Sequence, residues 1–295
     1  MDEADFERDL VGPTIKGLIE KYDIQYTGEF YVNCDDELAD RVYQAGIDFA
    51  SEVGMYNQST SRRITWTCAE IDEAIQNCRT EASLGQGEEQ FSIIARKPED
   101  TKRVALLGGV VGIPFPEELH LPLTLSFLKQ NIFDSIDTIS LETAYGYPIK
   151  AGTGWEVLGA WREAELAKEA LEIVGKPGIP YSAVELAPTA WGGLAGVTWG
   201  GYRPFDRHHV ATISEFKTNN DLLAVITHIH NLSGFIGAYY NPIYGGHVGG
   251  TEGIAVAVAA GMILLNQITV GHTFCTRPTH PFFGCDTTPE ILWAT

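Results

Sequence analysis

GKPGIPYSAVELAPTAW, residues 175–191, reads as the end of a helix, a tight turn, a strand and the loop beyond it. Gly175, Pro177 and Gly178 stop the preceding helix, because glycine adopts positive φ freely and proline cannot continue a helix. Residues 179–186 then predict a strand. If parallel strand–helix units surround it, Ser182 and Glu185 lie toward its far end, where parallel barrels keep their chemistry.

Working outward, the rhythm on either side is that of such units. VALLGGVVG, residues 104–112, is a fully apolar run and predicts a strand buried on both faces. A helix follows over 117–129, then a second strand over 137–143. Residues 155–174 predict a long helix with Val157, Leu158, Trp161, Leu166 and Leu171 inside. After the 179–186 strand come a weak strand over 208–213 and a helix over 219–231. A strand over 235–240, a helix over 253–269 and a strand over 271–275 complete the series. The repeat implies a parallel sheet. A doubly wound dinucleotide fold would need GxGxxG between its first strand and helix. Here that turn carries Pro114 and Pro116 after its glycines, and no nucleotide is expected. The fold class is α/β, a TIM (β/α)8-type barrel over 101–295 with about six of eight strand–helix units. Six strands leave two open edges, so either the chain is a truncated form or a partner covers the gap.

Residues 1–100 form an N-terminal helical cap. Asp35 and Asp36 cap a helix to about Val53, whose Leu38, Val42, Ala45, Phe49 and Val53 fall on one face. Thr67 and Glu70 form a capping box for a helix over 68–82.

Length and composition fit this plan. The chain has 295 residues, 44% hydrophobic and 20% charged, enough for one large core with an appendage. A net charge of −19 repels phosphate backbones and argues against nucleic acid. No apolar run reaches the length of a bilayer span, the start lacks the regions of a signal peptide, and five scattered cysteines without CxxC suit a reducing compartment. A cytoplasmic protein is expected, with no membrane partner.

The strand ends hold the chemistry-bearing residues. Glu142 and Tyr145 follow the second strand, Ser182 and Glu185 lie on the third, His208 and His209 on the fourth, and Tyr239 and Tyr240 on the fifth. Ser182 has no GxSxG setting, so a packed small residue is the plainer reading than a nucleophile. Glu185 is either a buried carboxylate with a perturbed pKa or a surface residue just past the strand. Tyr145, Trp191, Trp199 and one of Tyr239 and Tyr240 offer ring faces for a methylated ammonium by cation–π attraction, with ordinary core packing as the alternative. Gly245, Gly246, Gly249 and Gly250 precede a helix; without a Walker lysine they suit close approach of a flat cofactor better than a nucleotide. His272, Cys275, His280 and Cys285 are zinc-ligand types, but H-x2-C-x4-H-x4-C matches no closed structural pattern. No bound metal is expected, and a zinc-dependent barrel enzyme is the weaker alternative.

These stretches resemble one family. YTGEF at 26–30, Gly108, Gly109, Gly112 and Pro114, EVL at 156–158, GKPG at 175–178, PIYGG at 242–246, and Gly249, Gly250 and Glu252 together are similar to the monomethylamine:corrinoid methyltransferases of archaea. The resemblance implies a (β/α)8 barrel, a homo-oligomer and a partner protein carrying a corrinoid. It also implies transfer of a methyl group from a small methylated amine to cobalt(I), a reaction of methanogenesis. Counted from the GKPG match, Ser182 stands at the family's pyrrolysine, Glu185 keeps a family glutamate, and His209 and Tyr239 replace two others. The resemblance therefore assigns catalytic positions to Ser182, Glu185, His209 and Tyr239. It implies monomethylamine as donor, while the loss of two carboxylates fits a quaternary amine with no N–H to bind. A catalytically silent paralogue serving as an assembly subunit is the alternative.

Overall fold

Asp35 accepts the backbone N–H groups of Glu37 and Leu38 and starts the helix Asp36–Glu52. Thr67 and Glu70 close the expected capping box on Cys68–Gln76. That helix stops at Gln76, short of the expected 82, and Glu81–Leu84 instead pairs antiparallel with Phe91–Ile94. The computed structural model describes residues 1–29, 32–95, 100–109, 113–182, 189–198, 201–232, 235–270 and 293. Its chain divides into two compact units, Met1–Cys78 with Ala211–Leu223 and Ala238–Thr295, and Arg79–Val210 with Ala224–Gly237.

In the first unit, Asp36–Glu52 packs against Thr251–Ile268. Gly46 makes the approach possible, since a Cβ there would lie 2.8 Å from that of Ala259. Thr251–Ile268 is long and apolar enough to cross a bilayer by length and composition, yet two-thirds of it is buried within the unit, as a core helix is. Phe216 stacks on Tyr240 at 4.6 Å and meets Phe49 in a tilted contact at 4.4 Å. Met55–Asn57 pairs with Arg62–Ile64 and, in parallel, with Lys217–Thr218.

The second unit holds the strand–helix repeat. Its first strand is Leu107–Gly109, its second Ser135–Asp137 and its third Tyr181–Ser182, paired in parallel in the order third, second, first. The fourth strand, Arg207–Ala211, neighbours the fifth, Phe235–Tyr239. Helices Glu117–Leu128, Gly154–Ile173 and Asn220–Leu232 lie between them in sequence. The hairpin 81–94 docks at the beginnings of the third and fourth strands. Gln86 N–H donates to Gly178 O and Gly85 N–H to Phe205 O, both at 3.0 Å. A Cβ on Gly178 would run into Gln86 O, which is the second reason for glycine in the GKPG turn.

Two expectations are corrected. The 104–112 run is not buried on both faces, for Val104 is 56% and Leu106 and Leu107 are each 42% exposed. The long helix buries Leu166 and Leu171 as expected, but it also turns Glu156, Gly159, Ala160, Glu163, Ala164, Ala167 and Ala170 inward, while Val157 and Leu158 are half-buried and Trp161 is exposed. The predicted 271–275 strand lies outside the described residues.

Candidate functional site

The second, third and fourth strands build the site. Pleating turns alternate residues to one face, so Arg207 and His209 point the same way from the fourth strand. Arg207 is 1% exposed and is held by Asp137, by Ser135 Oγ at 2.8 Å, and by Nε2 of His209. Asp137 is the Cα partner of Ser182 across the parallel pair. Thr138 fixes Ser182 further, its N–H and hydroxyl donating to Ser182 O at 2.9 and 3.2 Å. Ser182 is fully buried, and its Oγ has no hydrogen-bond partner among the described residues. Gly109 on the first strand lets the chain close onto Asp137, because a Cβ there would run into Asp137 O. Gly237 on the fifth strand leaves room for His209, with a Cβ position only 3.0 Å from the ring.

This interior is electrostatically balanced. Asp137 answers the charge of Arg207. Burial first, then neighbouring Arg207, pushes His209 down to about 3 against the opposing pull of Asp137, so its imidazole is neutral at physiological pH. Burial likewise holds His208 at about 3; its ring points elsewhere, edge-on to Tyr202 at 4.1 Å. Below the site, Asp206 accepts Tyr181 N–H at 3.1 Å and the Arg203 guanidinium at 2.7 Å. Burial raises the Asp206 carboxyl despite Arg203.

Loops after the second and third strands are tied down by Glu156. Its carboxylate accepts N–H groups of Gly152, Thr189 and Gly192 at 2.6–2.9 Å, together with the Thr189 hydroxyl. Burial opposes ionisation, and these donors outweigh it, holding the carboxyl below its usual range. Thr189 also caps Ala190–Gly196, a short helix absent from the sequence reading.

The structure thus brings Ser182 and His209 into one interior through Asp137 and Arg207. Other candidates stand apart from it. Glu142 is exposed, bonded through its backbone to Phe115 and Ile149. Tyr145 has its ring under Arg162 at 5.4 Å and its hydroxyl on Glu165 at 3.2 Å, so an internal cation already occupies that face. Trp191 is 62% exposed. In the other unit, Tyr240 is buried, stacked on Phe216, and donates to Glu215 at 3.1 Å. Tyr239 ends the fifth strand. Gly245 and Gly249 have φ of +79° and +85° in a turn closed by Gly245 N–H on Gly249 O at 2.8 Å. Nothing stands within 4 Å of their Cβ positions, Gly246 lies in the same turn, and Gly250 precedes Thr251–Ile268. Glu185, Trp199, His272, Cys275, His280 and Cys285 lie outside the described residues. Arg207 and Asp137 were missed in the sequence; the Arg-x-His alternation at 207–209 was the available signal.

The family described as monomethylamine methyltransferase MtmB matches residues 1–295. The chain belongs to the MtmB family. It is 30% identical over 275 residues to MtmB2 of Methanosarcina acetivorans and to MtmB of Methanosarcina mazei, covering 93% of this chain and 60% of each relative. Crystal structures of Methanosarcina barkeri MtmB and of a hydroxylamine MtmB complex superpose with TM-scores of 0.92 at 26% identity, over 98% of this chain and 63% of theirs. The chain therefore spans about three-fifths of the length of the MtmB relatives it matches. The fold is α/β of the TIM-barrel type, as the strand order and these MtmB structures agree.

Proposed function

We propose that this chain is a methyltransferase of the MtmB type, acting in the cytoplasm as a homo-oligomer. It moves a methyl group from a small methylated amine to the corrinoid of a partner protein. The observation that carries the proposal is the joining of Ser182, Asp137, Arg207 and His209 from the second, third and fourth strands of a family scaffold. A cobalt(I) corrinoid, when bound, supplies the nucleophile. In the turn of Gly245, Gly246, Gly249 and Gly250, only Gly246 packs closely, against Glu215 and Ile243, and the open space at Gly245 and Gly249 supports approach of a flat cofactor.

The donor follows from the side chains. A serine hydroxyl offers no electrophile for an amine, and a neutral His209 adds no charge to repel a cation. Arg207 is neutralised within the fold by Asp137. A quaternary ammonium needs no N–H acceptor, because breaking its C–N bond leaves the electron pair on a neutral amine. The family resemblance leaves Glu185 as the carboxylate for the cation. A quaternary donor is therefore favoured over methylamine. Incubation with a reduced corrinoid partner and a panel of methylated amines tests this, and activity on methylamine alone would refute it.

The silent-subunit reading has its own support. Arg207 is satisfied on three sides by the chain itself, as a structural arginine would be. Binding of the corrinoid protein without turnover of any donor would favour it.

A further inference from the structure

Arg207 spreads its guanidinium over three side chains of the strand-built unit. Its Nε donates to Ser135 Oγ at 2.8 Å, one terminal nitrogen donates to Asp137 Oδ1, and the other meets Nε2 of His209. The direction of each bond follows from the groups. A guanidinium has five N–H donors, no acceptor, and keeps its proton at any physiological pH. Ser135 donates its own hydroxyl proton to Pro180 O at 2.9 Å, which leaves a lone pair for Arg207. Asp137, as a carboxylate, only accepts. Nε2 of His209 therefore accepts as well, and a ring nitrogen that accepts carries no proton. In a neutral imidazole the proton then sits on Nδ1.

The ring is held in this contact. Arg207 and His209 stand two residues apart on one face of the fourth strand, and Gly237 on the neighbouring strand leaves the ring its room. Arg207 is buried, where a guanidinium N–H without an acceptor would be costly, and Nε2 of His209 supplies that acceptor.

We infer that Arg207 is a positioning residue that fixes His209 in the Nδ1–H form, so that this side chain confronts a bound amine with a hydrogen-bond donor and offers it no acceptor. The first half stands on the geometry alone; the second rests on the methyl-transfer reading. An ammonium N–H finds no lone pair on His209, and Nε2 can take up a proton only by giving up Arg207. An amine without N–H loses nothing there.

Selective 15N-histidine labelling of the full chain tests the first half, with His209→Gln assigning one ring among the eight histidines. Long-range 1H–15N correlation at pH 7 should show a protonated Nδ1 and an unprotonated Nε2 at His209. Arg207→Met combined with Asp137→Leu leaves no buried charge unpaired, and in it the Nε2–H form should appear. An Nε2–H ring in the parent chain, or an undiminished Nδ1–H ring in the double variant, would overturn the assignment to Arg207. The second half is read by calorimetric affinities for methylammonium and tetramethylammonium. His209→Glu places an acceptor at the position and should raise the ratio in favour of methylammonium by about tenfold or more, as one hydrogen bond between charged groups does. An unchanged ratio would overturn that half. Binding of neither cation would remove the methyl-transfer reading and the second half with it, while the tautomer decides the first on its own.

Discussion

In the unit built on parallel strands, His120 and His208 are buried and His209 half-buried as neutral bases; in the unit built on helices, the buried carboxyl of Glu215 holds its proton well above the usual carboxylate range. Burial lowers His120 to about 4 and His208 and His209 to about 3, and raises Glu215 to about 7. Glu215 keeps Tyr240 and the Ile243 N–H as partners, which favour its charged form without overcoming desolvation. Desolvation rules both places, and because the groups differ in sign, acid acts on the two units in opposite directions.

The largest effect expected from this contrast is on the strand unit. Below an ordinary histidine value of 6.5 the unfolded chain binds protons that the fold refuses until about 3–4, so stability falls as pH drops. At pH 5 the loss is on the order of 2 kcal/mol for a single such histidine. Hydrogen exchange corrected for intrinsic rate, at pH 7 and pH 5, should show lost protection in Arg79–Val210. Equal protection there at both values would break the contrast.

Next in size is Arg207→Met. It leaves Asp137 buried without its cation, at a cost of about 3–5 kcal/mol by denaturant unfolding, and adding Asp137→Leu should recover most of it. A single variant within 1 kcal/mol of the parent would mean the pair is not closed as described.

In the helical unit the fold binds the proton of Glu215 more tightly than the unfolded chain does. Stability there is greatest below about 4.5 and is lost as pH rises through about 7. Acidifying from pH 7 to 5 should therefore strengthen protection by about 2 kcal/mol. Glu215→Gln should flatten that slope, and a slope that survives the substitution assigns it to another group. The smallest effect belongs to Thr67→Ala, about 1 kcal/mol from the lost cap, read as a fall in thermal midpoint.

What the sequence made legible was mostly local. Asp35 and the Thr67–Glu70 pair act within a few residues, so these helices start where the caps predict, whereas the second ends at Gln76, before its predicted glycine stop. The parallel order followed from alternating strands and helices. The burial pattern was less legible. Glu156 and Glu163 face inward because backbone N–H groups of Gly192 and Leu141, distant in sequence, meet them, a pairing no helical periodicity records. Apolar composition at 104–112 predicted two neighbours, and the described fold supplies one. Of the candidate interior, Ser182 was singled out by counting from GKPG and His209 by its place on the fourth strand. Arg207 was not, because an arginine in RPFDRHH has the look of a surface turn, and its partners Ser135 and Asp137 lie about seventy residues away.

The most direct measurement is methyl transfer itself, followed by the visible absorbance of the corrinoid on its partner protein, with the full chain and a panel from methylamine to quaternary amines. Transfer from a quaternary amine, and little from methylamine, is the predicted result. No transfer from any donor, or transfer from methylamine alone, would contradict the reading of Ser182 and His209 on which the proposed activity stands.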